Sequence, residues 1–244
     1  MITASTDILS RLKTDILPLE GLRKCLGKEV LEAGLGPINK AFPQGSFPLA
    51  AIHEFVSSEP ESAAVTTGFI SALVSPLMNK GGACVWIGST EKIFPPALLQ
   101  FGIDPARIIF IKLEKENDLL WATEESLKCH GLAAVVAELP WLSFTVSRRF
   151  QLAVEQSQVT GFIHRTNTKV LNINATVSSW KINPLPSEPF DALPGLGYPR
   201  WNVELLKIRN GKPGVWQMEW SDNRFNHISK PIHSIIRETK RKTG

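Results

Sequence analysis

The segment EPESAAVTT, Glu59 to Thr67, sits where a short apolar strand pattern hands over to a long helical one. Chains that bind nucleotides place GxxxxGKS/T at that junction. Its glycines let backbone N–H groups wrap the phosphates, its lysine neutralises the outer ones, and its Ser/Thr hydroxyl holds magnesium. Here Glu59 and Ala64 stand at the glycine positions and Val65 at the lysine; Pro60, Glu61 and Ser62 lie between, and Thr66 and Thr67 supply the hydroxyls. Glutamate adds negative charge where phosphates bring their own, valine removes the offsetting cation, and alanine puts a Cβ where the loop often needs φ > 0. The pattern predicts a degenerate phosphate loop with no nucleotide cofactor and no ATP hydrolysis.

Other chemistry-bearing residues are sparse. The five histidines (His53, His130, His164, His227, His233) and three cysteines (Cys25, Cys84, Cys129) have no metal-ligand spacing, so no metal is expected. No GxSxG elbow supports a hydrolase. Arg148 and Arg149 form a basic pair early in a helical stretch, able to meet phosphate, a partner carboxylate or Glu155. Trp180, Trp201, Trp216 and Trp220 hold four of the seven tryptophans in one C-terminal stretch. With Arg200 they are candidate interface anchors or stacking platforms, although strand alternation turns at least half of them against the sheet. From Ser221 to Gly244, six basic residues (Arg224, Lys230, Arg237, Lys240, Arg241, Lys242) face two acidic ones, which is the chain's whole net charge of +4. Such a tail is a handle for DNA phosphates or for an acidic partner.

The elements that must position these groups follow a rhythm. AAIHEFV (Ala50 to Val56), ACVWI from Ala83, RIIFIK from Arg107, AAVVA from Ala133 and TGFIH from Thr160 are short and continuously apolar. Helical patterns separate them at Thr66–Met78, Pro95–Phe101, Asn117–Cys129 and Ser143–Gln156. Buried strands alternating with helices define a mainly parallel α/β sheet. Thr176–Ile182, Asn202–Arg209 and Gly214–Trp220 then read as antiparallel strands at one edge, with Asn210-Gly211 as a hairpin turn. The stretch 183–200 is Pro/Gly-rich. The expected organisation is a helical segment over 1–45, a core over 46–220 and a basic tail over 221–244. With 43% hydrophobic and 20% charged residues the chain is neither disordered nor a disulfide scaffold. The run from Phe69 to Met78 falls short of the ~20 residues a membrane span needs. The N-terminus shows no secretory signal, and the cysteine usage suits a cytoplasmic protein.

EPESAAVTT resembles the RecA phosphate loop, GPESSGKTT, at Pro60, Glu61, Ser62, Thr66 and Thr67, and the resemblance continues over ACVWIGSTEKIFPPALLQFGID, Ala83 to Asp104. It implies a RecA-like P-loop-type core. The water-activating glutamate falls on Thr90 with Glu91 beside it, and the later acidic position falls on Glu138, either a magnesium ligand or a relic strand-end carboxylate. Within that group the chain resembles the ImuA family, accessory proteins of damage-induced mutagenesis. GIDPARIIFIK, LLWATEESLKCHGLAAVVAEL, SRRFQLAVEQSQVTGFIHR and GYPRWNVELLKIRNGKPGVWQMEW carry the resemblance, which runs from about Leu49 to Trp220.

The resemblance implies a non-catalytic adaptor in SOS-type translesion synthesis. Its implied partners are an ImuB-like Y-family polymerase homologue and an error-prone C-family DNA polymerase, with DNA reached through the tail and self-association left open. The implied setting is the cytoplasm, at the nucleoid during repair. Two alternatives stand beside it. One is a RecA-like binding protein of the cell-division-inhibitor type. The other is a divergent ATPase or recombinase paralogue that borrows Lys80 or Lys92 for the phosphates.

Overall fold

A computed structural model describes residues 35–90, 93–166, 168, 172–187 and 197–228. Six strands run parallel: β1 (Ile52–Val56), β2 (Ala83–Gly88), β3 (Ile108–Lys112), β4 (Leu132–Glu138), β5 (Thr160–Arg165) and β6 (Ser178–Leu185). β7 (Arg200–Ile208), β8 (Gly214–Ser221) and β9 (Arg224–His227) add to them antiparallel. Among the described residues the sheet order is β3-β2-β4-β5-β1-β6-β7-β8-β9. The helices are α1 (Pro60–Asn79), α2 (Glu116–Leu127) and α3 (Phe144–Ser157).

The expected strands all form, with no end shifted by more than three residues. Pro95–Phe101 is a 3-10 segment rather than an α-helix: its two leading prolines lack N–H groups, and Gly102 ends it at φ 72°. Two features differ from expectation. β9 lies inside the expected basic tail, reached through Asp222 and Asn223, both at positive φ (53° and 55°) in a two-residue turn that carries no glycine to announce it. Leu35, Ile38 and Phe42 are buried in the main core, so the packed unit begins before residue 46.

The sheet is covered on both faces. On one, α1 and the segment from Leu35 to Phe47 bury Phe55, Phe69, Phe162, Trp180 and Trp201. On the other, α2 and α3 pack Phe150 and Val154 against Ile52, Val85, Val135 and Ile163. Gly161 lets this packing close, because a Cβ would come within 2.5 Å of Ile52 Cδ1 and 2.9 Å of Leu127 Cδ2 and both side-chain ends would have to shift. No described helix is long and apolar enough to cross a membrane.

Candidate functional site

In this topology a nucleotide would bind at the carboxyl ends of the parallel strands, with its phosphates in the segment after β1. The expected loop is not there. Only Ser57, Ser58 and Glu59 separate β1 from α1, which starts at Pro60, six residues before the helix that the sequence predicts at Thr66. The reason is local. Proline is pre-set for the first helical position, and Ala64 brings a helix-compatible Cβ where a glycine would have let the chain wrap. Ala63 N–H already donates to Glu59 O at 2.9 Å, so the backbone turns inward rather than around an anion.

The side chains follow the helix. Glu61 sits in its first turn, where its carboxylate meets the positive end of the helix dipole. Ser62 is buried and donates to Asn183 Oδ1 at 3.4 Å. Thr66 and Thr67 donate back to Ser62 O (2.6 Å) and Ala63 O (3.1 Å) instead of pointing toward a metal. Val65 packs against the core, while Ala64 is exposed. Glu138, at the end of β4, accepts from the indole Nε1 of Trp86 at 3.2 Å. Glu91 and Lys92 lie outside the described residues. Lys80 caps the far end of the twenty-residue α1, about 30 Å from the β1 junction, beyond any lysine's reach.

The other candidates scatter. Arg148 is exposed, and Arg149 pairs with Glu124 on α2 rather than with Glu155, which accepts from Gln151 at 3.2 Å. Arg200 Nε donates to Glu219 Oε2 at 2.7 Å across β7 and β8. Trp201 and Trp220 are corrected from interface anchors to core residues: they are 2% and 5% exposed. They pack edge-to-face against Phe225, and Trp220 donates its indole N–H to Gln100 O at 3.0 Å. Trp180 is fully buried and Trp216 packs on the same core. Arg237, Lys240, Arg241 and Lys242 lie outside the described residues.

Three buried polar groupings went unread in the sequence. Glu54, at the centre of β1, accepts from Arg165 Nη1, Asn174 Nδ2 and Ser179 Oγ, each at 2.8 Å. Lys207 donates to Asn174 O at 2.8 Å, and burial holds its ammonium below the ordinary lysine range. Glu54 inside the short run IHEFV and Arg165 closing TGFIHR were the available signal, since buried charges must pair. Ser57 Oγ meets His164 Nε2 at 2.8 Å, but both are buried and closed to a substrate.

His53 is the third. Trp180 Nε1 donates to Ser178 Oγ, Ser178 donates to His53 Nδ1 (2.6 Å), and His53 Nε2–H donates to Pro48 O (2.8 Å). This relay needs a neutral ring. Burial pushes its pKa from 6.5 down to about 3, against a smaller upward pull from the Pro48 carbonyl. The unfolded chain therefore takes up the proton first, and the stability that His53 contributes is complete above pH 6.5 and is lost as pH falls toward 3. Between pH 7 and 5 the loss is expected to be about 2 kcal/mol in urea unfolding, and clearly smaller in His53→Gln. An equal loss in both proteins would contradict the assignment.

Among the described residues no group of three or more His, Cys, Asp or Glu side chains could hold a metal ion. Sheet order, the parallel core and its antiparallel extension define a RecA-like α/β protein in which a helix occupies the phosphate-loop segment. No family model matches the chain. It is 36% identical over 202 residues to Protein ImuA of two Caulobacter vibrioides strains, NA1000 / CB15N and ATCC 19089 / CIP 103742 / CB 15, covering 78% of this chain and 83% of each relative. The chain belongs to the ImuA family. That membership supports a place in damage-induced mutagenesis.

Proposed function

We propose that the chain is a non-catalytic adaptor in translesion DNA synthesis, joining an ImuB-like Y-family polymerase homologue and an error-prone C-family polymerase, with DNA engaged through the basic C-terminal segment. One observation carries this reading: α1 begins at Pro60 and closes the segment where phosphates would sit, while the rest of the RecA-like core stays fully packed. A core kept without its nucleotide cradle is kept for its surfaces. The buried tryptophans move the expected partner contact off β7 and β8 and onto the basic sequence after Ile228. That segment holds five basic residues against one acidic.

Truncation must respect the packing, because β9 and Phe225 belong to the fold. Removing residues 229–244 spares both, and it should cut the log–log salt slope of DNA binding by about 0.9 for each phosphate that the segment neutralises and abolish capture of the ImuB-like homologue. Removing residues 1–33 should leave capture intact. Undiminished DNA binding and capture by the C-terminal truncation would overturn the assignment.

A further inference from the structure

α3 packs one side against the sheet, through Ser147, Phe150 and Val154, and leaves the other side open. That open side carries Phe144, Arg148 and Leu152, spaced four residues apart and so aligned in one row, with Glu155 continuing it. Phe144 is 56% exposed, Leu152 is 45% exposed, and Arg148 is exposed between them. Trp141, just before the helix, is exposed as well, and so is Trp121 on α2 (67%), one turn before the Glu124 that meets Arg149. Large apolar side chains exposed together mark a contact surface. The charges of the row are uncompensated within the chain. Among the described residues Arg148 has no ion pair, and the Glu155 carboxylate accepts only from the neutral amide of Gln151. Seven residues, about 10 Å along the axis, keep Arg148 and Glu155 from pairing with each other.

We propose that this row is a two-fold contact with a second copy of this chain, in which α3 lies antiparallel on the α3 of the other copy. The charge order along the row selects that occupant. In a two-fold contact the same patch meets itself, so residue i touches j and j touches i. With Leu152 on its own counterpart at the axis, Arg148 lies about 6 Å along the helix to one side and Glu155 about 4.5 Å to the other. Reversing the second helix sets Arg148 of each copy opposite Glu155 of the other. A parallel arrangement would set Arg148 on Arg148 and Glu155 on Glu155, so charge fixes the direction. Leu152 then leaves water at the centre, and Phe144 and Trp141 close the flanks. Nucleic acid fits this row less well, because Glu124 already neutralises Arg149 and Glu155 repels phosphate. Only the consequence rests on the adaptor reading: a dimer presents two basic C-terminal segments, which makes DNA binding through them bivalent.

Sedimentation velocity of the full chain over a range of concentrations up to about tenfold above the expected dissociation constant is the test. The expected result is a monomer–dimer equilibrium with a dissociation constant on the order of 10 μM, the regime of a small contact. Leu152→Glu, Arg148→Glu and Glu155→Arg should each weaken the dimer at least about tenfold, with the fold intact by circular dichroism. The decisive arm mixes Arg148→Glu with Glu155→Arg in equal amounts. Each chain then meets the opposite charge at both positions, so the mixture should dimerise as well as the unaltered chain. Should Glu155→Arg disturb the fold, Leu152→Glu and Arg148→Glu, both on exposed positions, still decide. A chain that stays monomeric throughout would overturn the proposal, as would a dimer that Leu152→Glu leaves undiminished or a mixture of well-folded variants that fails to recover. Loss of oligothymidylate binding in Leu152→Glu, under conditions where the unaltered chain is monomeric, would mark nucleic acid as the occupant and overturn it too. Removing residues 229–244 should leave the dimer intact, so this reading and the adaptor reading fail separately.

Discussion

Replacing Glu54 by alanine is expected to destabilise the protein by about 3–5 kcal/mol, read as a lower urea midpoint at unchanged slope. The carboxylate is fully buried at the centre of β1 and neutralises Arg165, itself 2% exposed on β5. Its other oxygen takes hydrogen bonds from Asn174 and Ser179. Alanine leaves a guanidinium in the interior without its counter-charge and two donors without their acceptor, and an unpaired buried charge is far costlier than a missing surface bridge. Arg165 Nε already lacks a hydrogen-bond partner, so the guanidinium has no surplus of acceptors around it. Removing both charges should cost much less than removing one: Glu54→Met with Arg165→Met is expected to recover most of the loss. If the double variant proved as unstable as the sum of the singles, the two residues would not form a coupled unit.

The second large effect concerns nucleotide. Affinity for ATP is expected to be weaker than about 1 mM, the regime in which binding contributes only some 4 kcal/mol. Three losses act together: Val65 brings no cation, Glu59 brings repulsion, and the helix from Pro60 leaves no concave row of amides. The last is structural, so it has its own check. Glycine suits a phosphate loop, but at position 64 it falls in the second turn of α1, and Ala64→Gly should cost about 1 kcal/mol of stability.

Much of the fold was legible because its signals are strong. AAVVA and ACVWI are too short for helices and too apolar for exposed strands, which leaves the centre of a parallel sheet. Trp201, Val203 and Leu205 recur with period two, and all three are buried, so alternation was a better guide than the habit of reading tryptophans as anchors. The start of α1 was masked by motif. Lining EPESAAVTT up with a loop hid that proline followed by alanines is a helix beginning. β9 escaped because it is four residues long and its turn uses Asp222 and Asn223 without glycine. The Glu54 network spans residues 54, 165, 174 and 207, and no local pattern joins positions so far apart.

Isothermal titration calorimetry of the full chain with ATP and magnesium at pH 7.5 tests the central claim, that a RecA-like core here serves without nucleotide chemistry. The expected result is no saturable heat up to about 1 mM nucleotide. A one-to-one isotherm with a dissociation constant on the order of 10 μM or tighter would contradict it, because it would require a phosphate site that α1, starting at Pro60, leaves no backbone to build.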